Sequence, residues 1–228
     1  MKSRRAPRLF QFAAVLSLLA ALPSVHAAGG HHAVDDAAIL EPGKCELESW
    51  FSRAHGGERL LHGGAGCRVG PLEIGLAGEH ARFEGSGRSG YGLQAKWARE
   101  WLPGWSAGVS VSSGWEAQVR PRYQGLTAAA LVTWMARDDL ALHLNLGRDF
   151  AHRGPDQGRS GVSAEWAPRP GWSLVGERYQ EEGSQFVRAG LRWAASDQWS
   201  VGLSRAHRLR GPGESAWTLG ASWQFERR

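Results

Sequence analysis

The chain has two cysteines, Cys45 and Cys67, equidistant from Gly56 at the centre of the turn sequence AHGGE. In a symmetric antiparallel hairpin that spacing sets them directly opposite each other. Opposed Cβ atoms lie roughly 4.5–5.5 Å apart, close enough to bridge with slight adjustment. They read as a structural disulfide pinning the register of one hairpin. Neither a CxxC pair nor a third ligand accompanies them, so a metal or redox role is not expected. A second group, GGHHAVDD over residues 29–36, gathers His31, His32, Asp35 and Asp36. A chain cut after Ala28 would begin Gly-Gly-His, an amino terminus that suits Cu(II) or Ni(II). Cut after Ala27, the same residues are a polar lead-in. His31 and His32 are then weak metal candidates, and no cofactor is expected.

Other candidates sit at alternating positions of their segments. Glu46, Glu48, Glu73, Glu165 and Glu177 share one face with Arg68, Lys96, Arg188, Arg192 and His143. Charges of both signs facing a narrow interior either fill it with ion pairs or line a pore and set its ion preference. The mixture of signs favours filling. His143 and Asn145 share a face, and Ser163 falls on the following segment, an arrangement a lipid hydrolase could use. No nucleophile motif accompanies them, so His143 reads as a hydrogen-bonded filler and no catalytic residue is expected. Arg82, Arg88, Arg120, Arg122, Arg153, Arg159, Arg208 and Arg210 fall in or beside turn-rich segments. They could meet lipid phosphates, or simply be solvated.

The elements that must position these residues are strands. From Lys44 onward, apolar and small or polar residues alternate with period two in twelve runs, from 44–54 to 215–225, each bounded by turn chemistry. In 89–100, for example, Tyr91, Leu93, Ala95 and Trp97 alternate with Gly92, Gln94 and Lys96. Connections near 70, 101, 137, 169 and 196 are short. Several of those between, near 85, 118, 155 and 211, are longer and rich in Gly, Arg, Pro and Ser. Ahead of the strands, Met1–Arg8 is basic, Leu9–Leu22 is apolar, and PSVHA follows, the order of a secretory signal cleaved after residue 27. Residues 28–43 are a lead-in expected to lie in the periplasm, and 44–228 form the folded domain. The signal holds four of the 27 basic residues and none of the 22 acidic ones, which leaves 23 against 22. So balanced a chain gives no reason to expect a nucleic-acid partner.

Tryptophan supplies the strongest positional signal. Reflection about the short turns pairs Trp166 with Trp172, Trp193 with Trp199, Trp97 with Trp105, and Trp134 with Leu140. Reflection about the tight turn at Glu182-Gly183 sets Glu177 opposite Arg188 and returns Trp172 to Trp193. Trp97, Trp105, Trp134, Trp166, Trp172, Trp193, Trp199 and Trp223 all fall on the apolar face at the short-turn end. An indole, with an apolar body and one N–H, favours the membrane–water boundary. A second, looser set of aromatics marks the loop end, where Trp50, Tyr123, Tyr179 and Phe186 have inward parity. Two aromatic girdles around a Leu/Val/Ala band describe a barrel crossing a membrane.

With its signal segment, its strand count and a last strand reading AWTLGASWQF, the chain resembles bacterial outer-membrane β-barrel proteins. The resemblance covers residues 44–225. It implies location in the outer membrane of a Gram-negative bacterium, contact with its lipids, and insertion by the barrel-assembly machinery, which reads a terminal aromatic. Here Phe225 is followed by ERR, a departure from that signal. The expectation is therefore an all-β, closed antiparallel up-and-down transmembrane barrel of twelve strands, with ten or fourteen as alternatives. It would be non-enzymatic: a narrow channel for small solutes, or a structural membrane protein. A lipid-modifying hydrolase and a soluble periplasmic binding barrel are the other readings.

Overall fold

The computed structural model describes residues 31–227; the expected signal segment, 1–27, lies outside the described residues. Twelve strands follow in order: β1 (Lys44–Ala54), β2 (Arg59–Val69), β3 (Leu72–Phe83), β4 (Ser86–Leu102), β5 (Trp105–Glu116), β6 (Tyr123–Arg137), β7 (Leu140–Ala151), β8 (Gln157–Arg169), β9 (Trp172–Glu181), β10 (Ser184–Ala194), β11 (Trp199–Arg210) and β12 (Ala216–Glu226). Each pairs with its neighbours in sequence, and β1 pairs antiparallel with β12, from Lys44 opposite Glu226 to Ala54 opposite Ala216. The sheet is therefore a closed up-and-down barrel with no free edge, which lets every strand satisfy its backbone internally, as hydrocarbon demands. Its outer face is apolar: Leu76, Leu93, Leu146, Val162 and Leu219 are all more than half exposed. Such a band, with polar residues turned inward, makes this a transmembrane β-barrel.

The hairpin registers divide into two groups. Across β1–β2 and β9–β10 they stand as the spacing predicts: Cys45 faces Cys67, Arg188 faces Glu177, and Trp193 faces Trp172. Across the short turns they do not. Trp166 lies opposite Leu174 rather than Trp172, Trp134 opposite Leu142 rather than Leu140, and Trp193 opposite Val201 rather than Trp199. Trp97 lies opposite Val109 rather than Trp105. The cause is local. Pro103-Gly104 and Pro170-Gly171 are two-residue turns with glycine at φ 75° and 77°. They set Leu102 against Trp105 and Arg169 against Trp172, and a bulge then shifts each ladder. Asp138-Asp139 does the same between Arg137 and Leu140. Each slip is an even number of residues, so every side chain keeps its face.

The slips change which tryptophans meet. Trp105 stacks on Trp134 with centroids 5.2 Å apart, Trp172 on Trp193 at 6.1 Å, and Trp199 on Trp223 at 5.6 Å. These stacks join strands linked at the loop end, across the gaps between short turns. At one turn Trp166 Nε1 donates to Asp139 Oδ2 at 2.9 Å. That bond, with Arg137 beside it, holds the Asp139 carboxyl below the ordinary carboxylate range. At the loop end Phe51, Phe83, Tyr91, Phe150 and Trp217 face outward, while Tyr179 and Phe186 are buried in the lumen and Trp50 also points inward.

The Cys45–Cys67 disulfide closes a loop of sequence separation 22. Replacing both by serine is expected to cost about 3 kcal/mol, read as a lower urea midpoint in lipid vesicles and matched by adding reductant to the unaltered chain. Leu76 faces outward at mid-strand and is 62% exposed. Leu76→Arg is expected to destabilise the barrel in a bilayer by roughly 2–4 kcal/mol; a stability unchanged in vesicles would contradict a lipid-facing surface.

Candidate functional site

A twelve-stranded barrel is wider than the eight-stranded kind whose interior side chains alone can fill. Here the inward face of several strands is glycine or another small residue, including Gly161, Gly190, Gly202 and Gly220. The space is taken by the chain itself. Residues 31–40 do not lie outside the barrel as a periplasmic lead-in; they run inside the lumen, with Val34 fully buried and Ala37 2% exposed. The glycines make the room. A Cβ at Gly190 would stand 3.1 Å from the His32 ring, at Gly202 3.0 Å from the His31 ring, at Gly220 2.9 Å from His31, and at Gly161 2.5 Å from Val34.

The segment is held by polar contacts along its length. Glu177 accepts from the Val34 N–H at 3.0 Å and lies 3.3 Å from His32 Nδ1 and 3.4 Å from Arg188 Nη1. Arg188 also donates to the His31 carbonyl and, at 2.9 Å, to the Tyr179 hydroxyl. Lys96, 5% exposed, donates to Asp35 at 2.9 Å and Asp36 at 2.7 Å. Thr133 Oγ1 accepts from the Ala37 N–H at 2.8 Å and pairs with His143 Nδ1 at 2.9 Å. With its amide turned to satisfy both ends, Asn145 accepts from the Asp35 N–H at 2.7 Å and donates to the Asp35 carbonyl at 2.8 Å. Nearer the strand ends, Glu73 accepts from the Leu40 N–H at 2.9 Å and Arg68 donates to the Leu40 carbonyl at 3.0 Å.

Every lumen residue singled out from the sequence thus faces inward, and six of the ten touch the segment directly or through one partner. Arg192 and Glu165 pair with each other at 2.5 Å, Glu165 being fully buried. Glu46 accepts from Gln224 at 2.7 Å, and Glu48 lies 3.6 Å from His62, which stacks on Trp50 at 3.4 Å. His143 and Ser163 are directly opposite, 4% and 5% exposed, beneath the segment rather than at an open rim. His31 and His32 are taken up in packing, and among the described residues no three His, Cys, Asp or Glu side chains converge as metal ligands. His143 Nε2, Ser163 Oγ, Ser204 Oγ and Glu165 Oε2 are buried with no hydrogen-bond partner among the described residues.

The segment packs toward β6–β11 and leaves a cavity of about 510 Å³ on the β1–β5 side. Its charged lining is mostly acidic: Glu46, Glu48 and Glu73 from the wall and Asp35, Asp36 and Glu41 from the segment, against Lys44, Lys96 and Arg159. The sequence held two signals for this arrangement. The small inward residues left a lumen that something had to occupy, and the Asp35-Asp36 pair matched an isolated inward Lys96.

A closed barrel of this kind, apolar outside and polar within, is the fold of the outer-membrane porins. The KdgM porin superposes with a TM-score of 0.65 at 11% identity, covering 79% of this chain and 99% of that one. The NanC porin gives 0.58 at 8%, covering 78% and 98%. The toluene transporter TbuX of Ralstonia pickettii gives 0.54 at 10%, covering 82% and 79%. No curated protein matches the chain by sequence. Residues 15–225 match the family described as "Uncharacterised conserved protein UCP029691", and the chain belongs to that family.

The ion pairs give a direct test of the lumen segment. Ala37→Cys is expected to resist a water-soluble maleimide in the otherwise unchanged barrel. Adding Lys96→Met, which strands Asp35 and Asp36 without their cation, is expected to speed labelling at least about tenfold, since breaking a buried pair costs several kcal/mol. Equal labelling rates would show that Lys96 does not hold the segment.

Proposed function

We propose that this protein is a narrow channel in the outer membrane of a Gram-negative bacterium, occupied at rest by its own N-terminal segment. It admits small neutral or cationic solutes when that segment moves aside. Residues 1–27 serve as the export signal, and the barrel-assembly machinery inserts the domain into the lipid it faces. The observation that carries this reading is the acidic cavity of about 510 Å³ beside a segment held by polar contacts. A cavity of that size suits a small molecule. Its carboxylates favour cations, as rings of Asp and Glu do in cation pores, and the Trp50–His62 stack offers an aromatic face to an organic cation. The KdgM porin has been seen in complex with disordered oligogalacturonate, a polyanion. The acidic lining here would repel such a ligand, so the solute class differs even where the barrel is alike.

A structural role is the second reading, favoured by the filled lumen itself. The lipid-hydrolase reading has less support, because His143 and Ser163 are sealed beneath the segment behind a continuous wall. Planar-bilayer recording separates the first two. A chain beginning at residue 41 is expected to conduct several-fold more than one beginning at residue 28, with a reversal potential in a KCl gradient that marks cation preference. Glu46→Gln, Glu48→Gln and Glu73→Gln together are expected to weaken that preference. Silence from both chains would leave the structural reading standing and the channel refuted.

A further inference from the structure

The outer face carries a feature that the lumen does not explain. Arg82 on β3 lies opposite Arg59 on β2, and Arg59 opposite Arg53 on β1. Arg53 in turn faces Trp217 on β12, and Trp217 faces Arg205 on β11. Five adjacent strands thus present one unbroken lateral row at the loop end of the barrel. All five residues are exposed, and they share the outward face with Ile74, Leu61, Phe51, Leu219 and Leu203. Directly opposed side chains are roughly 4.5–5.5 Å apart, and like charges so placed repel. Yet Arg53, Arg59, Arg82 and Arg205 have no carboxylate partner among the described residues, whereas Arg148 and Arg159 pair with Asp156 and Asp149. The guanidinium of Arg205 lies 5.0 Å over the Trp217 ring, beside a groove of about 350 Å³ lined by Arg53, His55 and Ser215.

We propose that this row is a binding site for the phosphate groups of a phosphorylated glycolipid in the outer leaflet. It rests on the outer-membrane reading above but not on the channel. Arginines on a lipid face cost little near the boundary, roughly 0–1 kcal/mol, but three in succession need an anion between them. The planar guanidinium fork matches phosphate oxygens two at a time. The apolar residues beneath the row would meet acyl chains while the arginines hold the headgroup. Of the loop arginines that the sequence left open to lipid phosphates or to solvent, Arg82 alone belongs to the row; its other arginines come from strand positions whose register places them side by side.

The purified barrel in neutral detergent is titrated with bis-phosphorylated lipid A, with the dephosphorylated lipid, and with inorganic phosphate, and adducts are counted by native mass spectrometry. Bis-phosphorylated lipid A is expected to bind, the dephosphorylated form and free phosphate not. Arg53→Gln, Arg59→Gln and Arg82→Gln together are expected to weaken binding about tenfold or more, whereas Arg99→Gln at the opposite end leaves it unchanged. Should the triple variant not fold, Arg59→Gln alone, at the centre of the row, is expected to weaken binding measurably. Equal binding of both lipids, or no loss in the variants, would overturn the site. Neither result depends on whether the barrel conducts.

Discussion

Closure of the sheet is the constraint from which the rest follows. Hydrocarbon offers no partner to a backbone N–H or C=O, so a strand crossing it must be paired on both sides. The β1–β12 ladder meets that demand for the first and last strands. The Arg227 N–H extends it by one bond beyond the strand end, donating to the Gly43 carbonyl at 2.8 Å. Once the seam is closed, strand number sets the circumference, and the circumference sets an interior that must be filled, wetted or plugged.

This chain fills part of that interior with its own backbone. A segment threaded through a lumen carries N–H and C=O groups that need partners, which explains why the wall opposite it is built of Glu177, Arg188, Thr133, Asn145, Glu73 and Arg68. The wall side chains act as a discontinuous strand would, each meeting one or two backbone groups. Lys96 serves the segment's two carboxylates. An apolar lining would have left those groups unsatisfied, and an unlined pore would have left the segment in water. The polar character of the lumen is thus as much a requirement of its occupant as of any solute.

The two ends of the outer surface are chemically different. The short-turn end carries stacked indoles, neutral and amphipathic, that settle at an interface by the shape of their hydration. The loop end carries a looser aromatic set and the arginine row. On the proposal that the row holds lipid phosphate, the two ends meet unlike leaflets.

Period-two alternation, turn chemistry and the position of tryptophan were enough, read from the chain alone, to imply a closed barrel of twelve strands with its Leu/Val/Ala side outward. The Cys45–Cys67 and Glu177–Arg188 pairings were legible too, because their turns are symmetric. Facing is insensitive to the register differences across the short turns, because an even slip leaves the pleat's two faces unchanged. Register across three of the short turns was settled by bulges after Pro103-Gly104, Asp138-Asp139 and Pro170-Gly171, whose geometry no spacing rule encodes. The path of residues 31–40 was decided only in three dimensions. Nothing local distinguishes a polar lead-in outside a barrel from one inside it. The difference lies in glycines on β8, β10, β11 and β12 that become neighbours, and so make one hollow, only after the sheet has closed.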